Sequence, residues 1–166
     1  MRLSNLLLCL LFCGFSLTAA AQQEVPSISV KKLTGESVDF SEWVSEQGKP
    51  VIVSFWATWC KPCKLELDAL VDFYPDWQDE FGVEMAAVSI DDRRAFAKIG
   101  PLVETHSWEY NIFTDENQAL MQALNVPAVP HTFVINSEGQ IVWSHSGYVS
   151  GDEYELEDKL RELANK

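Results

Sequence analysis

Hydrophobic and polar positions follow two different periods along the chain, and the changes of period mark its elements. Residues 28–33 and 37–40 are short runs of β character on either side of Thr34-Gly35-Glu36, which predicts a hairpin. Ser41 is placed to cap a short helix through Gln47, closed by Gly48. Residues 51–56 are almost continuously apolar, the pattern of a strand buried on both faces. From Cys60 the period becomes helical. Cys63, Leu67, Leu70, Val71 and Tyr74 form an apolar stripe, with Lys64, Asp68 and Asp72 opposite. Pro62 suits the first turn, where an amide N–H has no helical partner, and Pro75 is expected to stop the helix.

Residues 83–90 read as the next strand and 93–99 as a helix, which Gly100-Pro101 should break before His106. Residues 108–113 suggest a further strand, and Asp115 a cap for a helix through Leu124. After an extended segment, 126–130, residues 131–135 form a strand. The turn Asn136-Ser137-Glu138-Gly139 leads to a hairpin partner over 140–145. Ser150 and Glu153 have capping-box spacing for a last helix ending near Ala164. Strand–helix–strand units come first and a hairpin plus helix last. That order predicts an α/β domain with a central mixed sheet flanked by helices. An additional helix and strand are inserted before Pro130.

The first residues stand apart from this pattern. Arg2 precedes an apolar stretch over 6–17, then Thr18-Ala19-Ala20-Ala21 and the polar Gln22. This is the layout of a secretory signal, with Ala19 and Ala21 as the small pair before the cleavage site. The expected division is therefore a signal peptide over 1–21 and one domain over 22–166. An uncleaved membrane anchor is the alternative, although 6–21 is short for a span. A chain of 145 residues can bury roughly two-thirds of its unfolded surface in one core. With 47% hydrophobic and 22% charged residues, the composition suits a packed domain. The formal charge is −13, and losing Arg2 leaves −14. Such a surface repels phosphate backbones and anionic membranes, so no nucleic-acid partner is expected.

Cleavage also removes Cys9 and Cys13, leaving Cys60 and Cys63 as the only cysteines, in a compartment where disulfides persist. A Cys-x-x-Cys pair has three readings. A structural zinc site needs four ligands, yet there is no second cysteine pair and His106, His131 and His145 lack finger spacing. A purely structural disulfide across two residues gains little loop entropy. A redox dithiol suits a pair at a strand-to-helix junction. In that reading Cys60 lies at the helix N-terminus, where unpaired N–H groups and the helix dipole lower a thiol pKa. Cys63, on the buried stripe, becomes the resolving thiol. Glu66 follows three residues later on the same flank. Desolvated, its carboxylate could serve as the base for Cys63; solvated, it is an ordinary helix acid. Trp59 is expected exposed beside the thiols and Trp56 in the core.

The run Phe55-Trp56-Ala57-Thr58-Trp59-Cys60-Lys61-Pro62-Cys63 resembles the active-site segment of the thioredoxin superfamily. Val129-Pro130-His131-Thr132-Phe133 is similar to that superfamily's cis-proline loop. The signal layout, N-terminal hairpin and inserted helix-strand make the chain most similar to the TlpA/ResA-like extracytoplasmic branch. The resemblance implies a thioredoxin-like fold with Cys60 as nucleophile and Cys63 as resolving cysteine. It implies a substrate groove shaped by Trp59, Pro62, Val129 and a cis Pro130. Thioredoxin keeps an aspartate where this chain has Ser54, whereas the branch has a glutamate at the place of Glu66. His131 is read as a solvated loop residue.

The implied function is an extracytoplasmic, periplasmic thiol-disulfide oxidoreductase acting as a monomer without a further cofactor. Its implied clients are exported cysteine proteins such as apocytochrome c, and its electron donor a membrane thiol-reducing transporter. Two alternatives stay in view. A thiol peroxidase wants a threonine separated by two residues from its cysteine and a proline further upstream; Thr58 is too close and no proline fits. A non-enzymatic binding module would keep the pair as a structural disulfide.

Overall fold

A computed structural model describes residues 23–165; the expected signal peptide lies outside the described residues. Among them the chain begins with an antiparallel hairpin, β1 (Ser29–Lys32) and β2 (Ser37–Asp39). The helix α1 (Phe40–Gln47) follows directly, and the buried strand β3 (Val51–Trp56) comes next. A long helix α2 (Lys61–Phe81) leads to β4 (Glu84–Ser89). Helix α3 (Phe96–His106), β5 (Asn111–Thr114) and the short α4 (Ala119–Ala123) form the insertion. The chain closes with β6 (His131–Ile135), β7 (Ile141–Ser146) and α5 (Asp152–Ala164).

The seven strands make one sheet in the order β2-β1-β5-β4-β3-β6-β7. β3, β4 and β5 run parallel, as strand–helix–strand crossovers require, and the remaining pairs are antiparallel. Every residue of β3 is buried, so its run, apolar except for Ser54, has a packing partner on both faces. The expected mixed sheet with flanking helices is therefore what forms.

Several local expectations give way to packing. The α1 cap is Asp39, whose carboxylate accepts from the Glu42 amide, while Ser41 only donates its hydroxyl to Asp39. Pro75 does not stop α2, which continues for six more residues to Gly82 in the left-handed conformation. A proline inside a helix costs about 3 kcal/mol. The extension buries Trp77, which packs against Phe73 and sends its indole N–H toward Glu157 of α5. Burial of one large aromatic offsets most of that cost, at roughly 1.5–3 kcal/mol for a fully buried side chain. Gly100-Pro101 likewise fails to break α3, which starts at Phe96 rather than Arg93 and runs to His106. Its end is tied to α2 by the His106–Asp68 contact of 2.7 Å. β5 starts at Asn111 rather than residue 108, because Trp108 and Tyr110 are drawn inward and hydrogen-bond α2 at Asp68 and the Leu67 carbonyl. The Ser150–Glu153 capping box does not form. Gly151 precedes α5, Asp152 accepts from the Val149 amide and Glu153 from the Gly151 amide.

Candidate active site

The segment leaving β3 must turn sharply to enter α2, and a buried aspartate holds that turn. Asp91, just past β4, accepts from the Thr58 amide at 2.7 Å and the Thr58 hydroxyl at 2.8 Å. The Ser89 hydroxyl donates to the same carboxylate. This clamp places Cys60 as the residue that opens α2, with Pro62 in the first turn.

Cys60 and Cys63 are joined as a disulfide, with Cα atoms 5.4 Å apart. The Cys63 amide donates to Cys60 Sγ at 3.3 Å, the helix N-terminal contact that favours a thiolate once the bond is reduced. Val129 brings its carbonyl oxygen to 3.7 Å from Cys60 Sγ. The bond between Val129 and Pro130 is cis, and among the described residues it is the only cis peptide. Trp59 stands 69% exposed next to the pair, Pro62 is exposed, and Trp56 is buried edge-on to Trp108. Cys63 is wholly buried.

One turn past Cys63 on α2, Glu66 is buried at 5% exposure and meets the sheet. The Thr132 hydroxyl donates to Oε1 at 2.6 Å and the Ser54 hydroxyl to Oε2 at 3.0 Å. Burial pushes its carboxyl up to about 7, against the opposing pull of those hydroxyls and of His145. Ser54 thus has a positive role. Where thioredoxin carries a buried acid, this chain carries a donor to an acid reaching in from the helix.

His131 departs from the expected solvated loop residue. It opens β6, is half-buried, packs on Phe133 and contacts Ser146 Oγ at 2.6 Å, and burial lowers its pKa. Residues that sequence reasoning passed over are Asp91, Thr132 and, on β7 and α5, His145 and Asp152. Asp91 could have been suspected as the first acid after an apolar strand; the others depend on strand register and helix packing.

Three comparisons bear on this geometry. A solution structure of an uncharacterized thioredoxin-like protein from Porphyromonas gingivalis is 42% identical, with a TM-score of 0.75, covering 85% of this chain and 92% of that one. Thiol-disulfide oxidoreductase ResA of Bacillus thuringiensis subsp. konkukian is 26% identical over 141 residues, 85% of this chain and 77% of the relative. A crystal structure of a putative thiol:disulfide interchange protein DsbE from Chlorobium tepidum shares the fold at 21% identity, with a TM-score of 0.75 over 86% of this chain and 96% of that one. The family model described as the AhpC/TSA family matches residues 21–144, a span that contains both cysteines, Glu66 and the cis-proline loop. The chain has a thioredoxin-like fold and belongs to the AhpC/TSA family.

Proposed function

We propose that this thiol-disulfide oxidoreductase works outside the cytoplasm as a reductant of exported cysteine proteins, with Cys60 attacking and Cys63 resolving. The observation that carries this reading is the contrast between the two cysteines: Cys60, 4% exposed, caps the helix N-terminus beside exposed Trp59, while Cys63 is fully buried on α2 one turn before buried Glu66. In the reduced enzyme the Cys60 thiolate attacks one sulfur of a client disulfide. The client's other sulfur leaves as a thiolate and takes a proton, and a mixed disulfide remains. Cys63 gives its proton to Glu66 and attacks Cys60 Sγ, which re-forms the Cys60–Cys63 bond and releases the client's second thiolate. Two electrons pass from enzyme to client.

The cis Val129-Pro130 bond and the Val129 carbonyl beside Cys60 support a groove in which an extended client segment pairs with the backbone. Trp59 and Pro62 form its other wall. The signal layout of residues 1–21 supports export, and among the described residues no helix is long and apolar enough to cross a membrane. Export to the periplasm, apocytochrome c as a client, a membrane thiol-reducing transporter as electron donor and action as a monomer complete the proposal. No cofactor beyond the dithiol takes part. A peroxidase reading draws no support from Thr58, whose hydroxyl is occupied by Asp91.

The test is dithiothreitol-driven reduction of a protein disulfide by the mature protein. Cys60→Ser abolishes turnover, and Cys63→Ser accumulates a client mixed disulfide at Cys60. Wild-type turnover in Cys60→Ser would refute the assignment.

A further inference from the structure

A client bound over the dithiol leaves the proton taken by Glu66 with no evident way out on that side. Cys63 is fully buried and the client covers Cys60 and Trp59. The structure shows another route. Strand register aligns Ser54 with Thr132, and Thr132 with His145, so these side chains form a polar row across β3, β6 and β7 on the face that meets α2. The row begins at Glu66, which both hydroxyls contact. It ends at the sheet edge, where His145 Nε2 lies 3.2 Å from Asp152 Oδ2 of α5. Both side chains of that pair are partly open to solvent, at 31% and 23%.

Between Glu66 and this pair lies a small cavity bounded also by Leu70, Trp143 and Tyr148. The volume open to the centre of a water molecule is about 10 Å³, which matches the space one water needs. Most of its wall is apolar, and the polar partners for such a water are the side chains of Glu66, Thr132, His145 and Asp152. The groups facing Glu66 are Thr132 from β6, Ser54 from β3, His145 from β7, Tyr148 from the following loop, and Asp152 and Glu153 from α5. Glu153 is occupied, accepting from the Tyr148 hydroxyl and the Gly151 amide. His145 differs from the rest because an imidazole accepts a proton at one nitrogen and donates from the other. Its ring is held by stacking on Trp143, with 11° between the planes.

We infer that His145, oriented by Asp152, is the proton exit of the catalytic carboxyl: it exchanges the Glu66 proton with bulk water through the cavity while a client covers the dithiol. The step moves one proton from the Glu66 carboxyl through a cavity water to His145, and from His145 to solvent at the sheet edge. No electrons move. His145 is a positioning and relay residue that touches neither sulfur nor client. The inference rests on the reading of Glu66 as the base for Cys63.

The experiment follows mixed-disulfide resolution by rapid mixing of the reduced mature protein with insulin, between pH 6 and 8. His145→Gln slows resolution about tenfold, at the low end of acid–base contributions, and added imidazole restores most of the loss. Asp152→Asn gives a smaller defect in the same direction and guards against a His145 variant that folds poorly. His106→Gln, which alters the other histidine–aspartate pair on α3 and α2, keeps the wild-type rate. If Glu66→Gln is slow while His145→Gln matches wild type, the exit is overturned and the base stands. A His145→Gln defect that imidazole does not relieve is structural and also overturns the exit. An unchanged rate in Glu66→Gln overturns the base, and the exit falls with it.

Discussion

The two cysteines lie one helical turn apart, yet their surroundings oppose each other. At the mouth, Cys60 has a helix N–H that favours its thiolate, with an exposed tryptophan and the Val129 carbonyl beside it. At the floor, Cys63 is sealed from solvent, one helical turn before a buried carboxyl held by two hydroxyls. In the proposed reaction this difference divides the work between a part that meets the client and a part that moves a proton. Most of the mouth is made by local sequence, a helix start, a proline in its first turn and an aromatic neighbour, and only the Val129 carbonyl comes from afar. The floor is made by tertiary structure, since Ser54, Glu66 and Thr132 come from three elements.

The sharpest way to expose the contrast is through stability, because a buried carboxyl makes folding depend on pH and the disulfide-bonded Cys60 does not titrate. Glu66 holds its proton up to about pH 7 in the folded protein, against 4.5 for an ordinary glutamate. Its folded-state pKa is raised, so its contribution to stability is fully present below about pH 4.5 and is lost as pH rises to about 7. The loss is about 3 kcal/mol. Denaturant unfolding of wild type and Glu66→Gln across that window should show wild type losing this much relative to the variant. A constant difference between the two would place the carboxyl in water.

A smaller effect tests the mouth. Trp59→Ala removes a side chain that is 69% exposed, so stability should change by less than about 0.5 kcal/mol. Reduction of a protein disulfide should weaken through KM, while the rate with a small disulfide reagent stays close to wild type. A loss of stability comparable to a core substitution would assign Trp59 to the core instead of the groove.

How much of this was legible in the sequence follows the same division. The Cys60–Cys63 pair, its strand-to-helix setting and Glu66 were readable because their spacing is local. Val129-Pro130 was readable by resemblance alone, since nothing in its spacing requires a cis bond. The partners of Glu66 were not readable, because pairing Ser54 with Thr132 and Thr132 with His145 depends on the register of three strands distant in sequence. Local signals also lost to packing where they competed with it. Pro75 and Pro101 should end helices, yet burial of Trp77 and the His106–Asp68 tie carry α2 and α3 past them. Ser41 and Ser150 have capping chemistry, but Asp39 and Gly151 stand at the positions the chain uses.

The central claim is that Glu66 serves Cys63 as its base, and the most direct measurement is the pH dependence of mixed-disulfide resolution in wild type and Glu66→Gln. In wild type the rate should rise as pH passes through about 7, where the carboxyl ionises. In Glu66→Gln resolution should be slower by about 10- to 100-fold, with that rise absent and recovery only where the thiol ionises unaided. Superimposable profiles for the two proteins would contradict the claim and leave Glu66 as a buried structural acid.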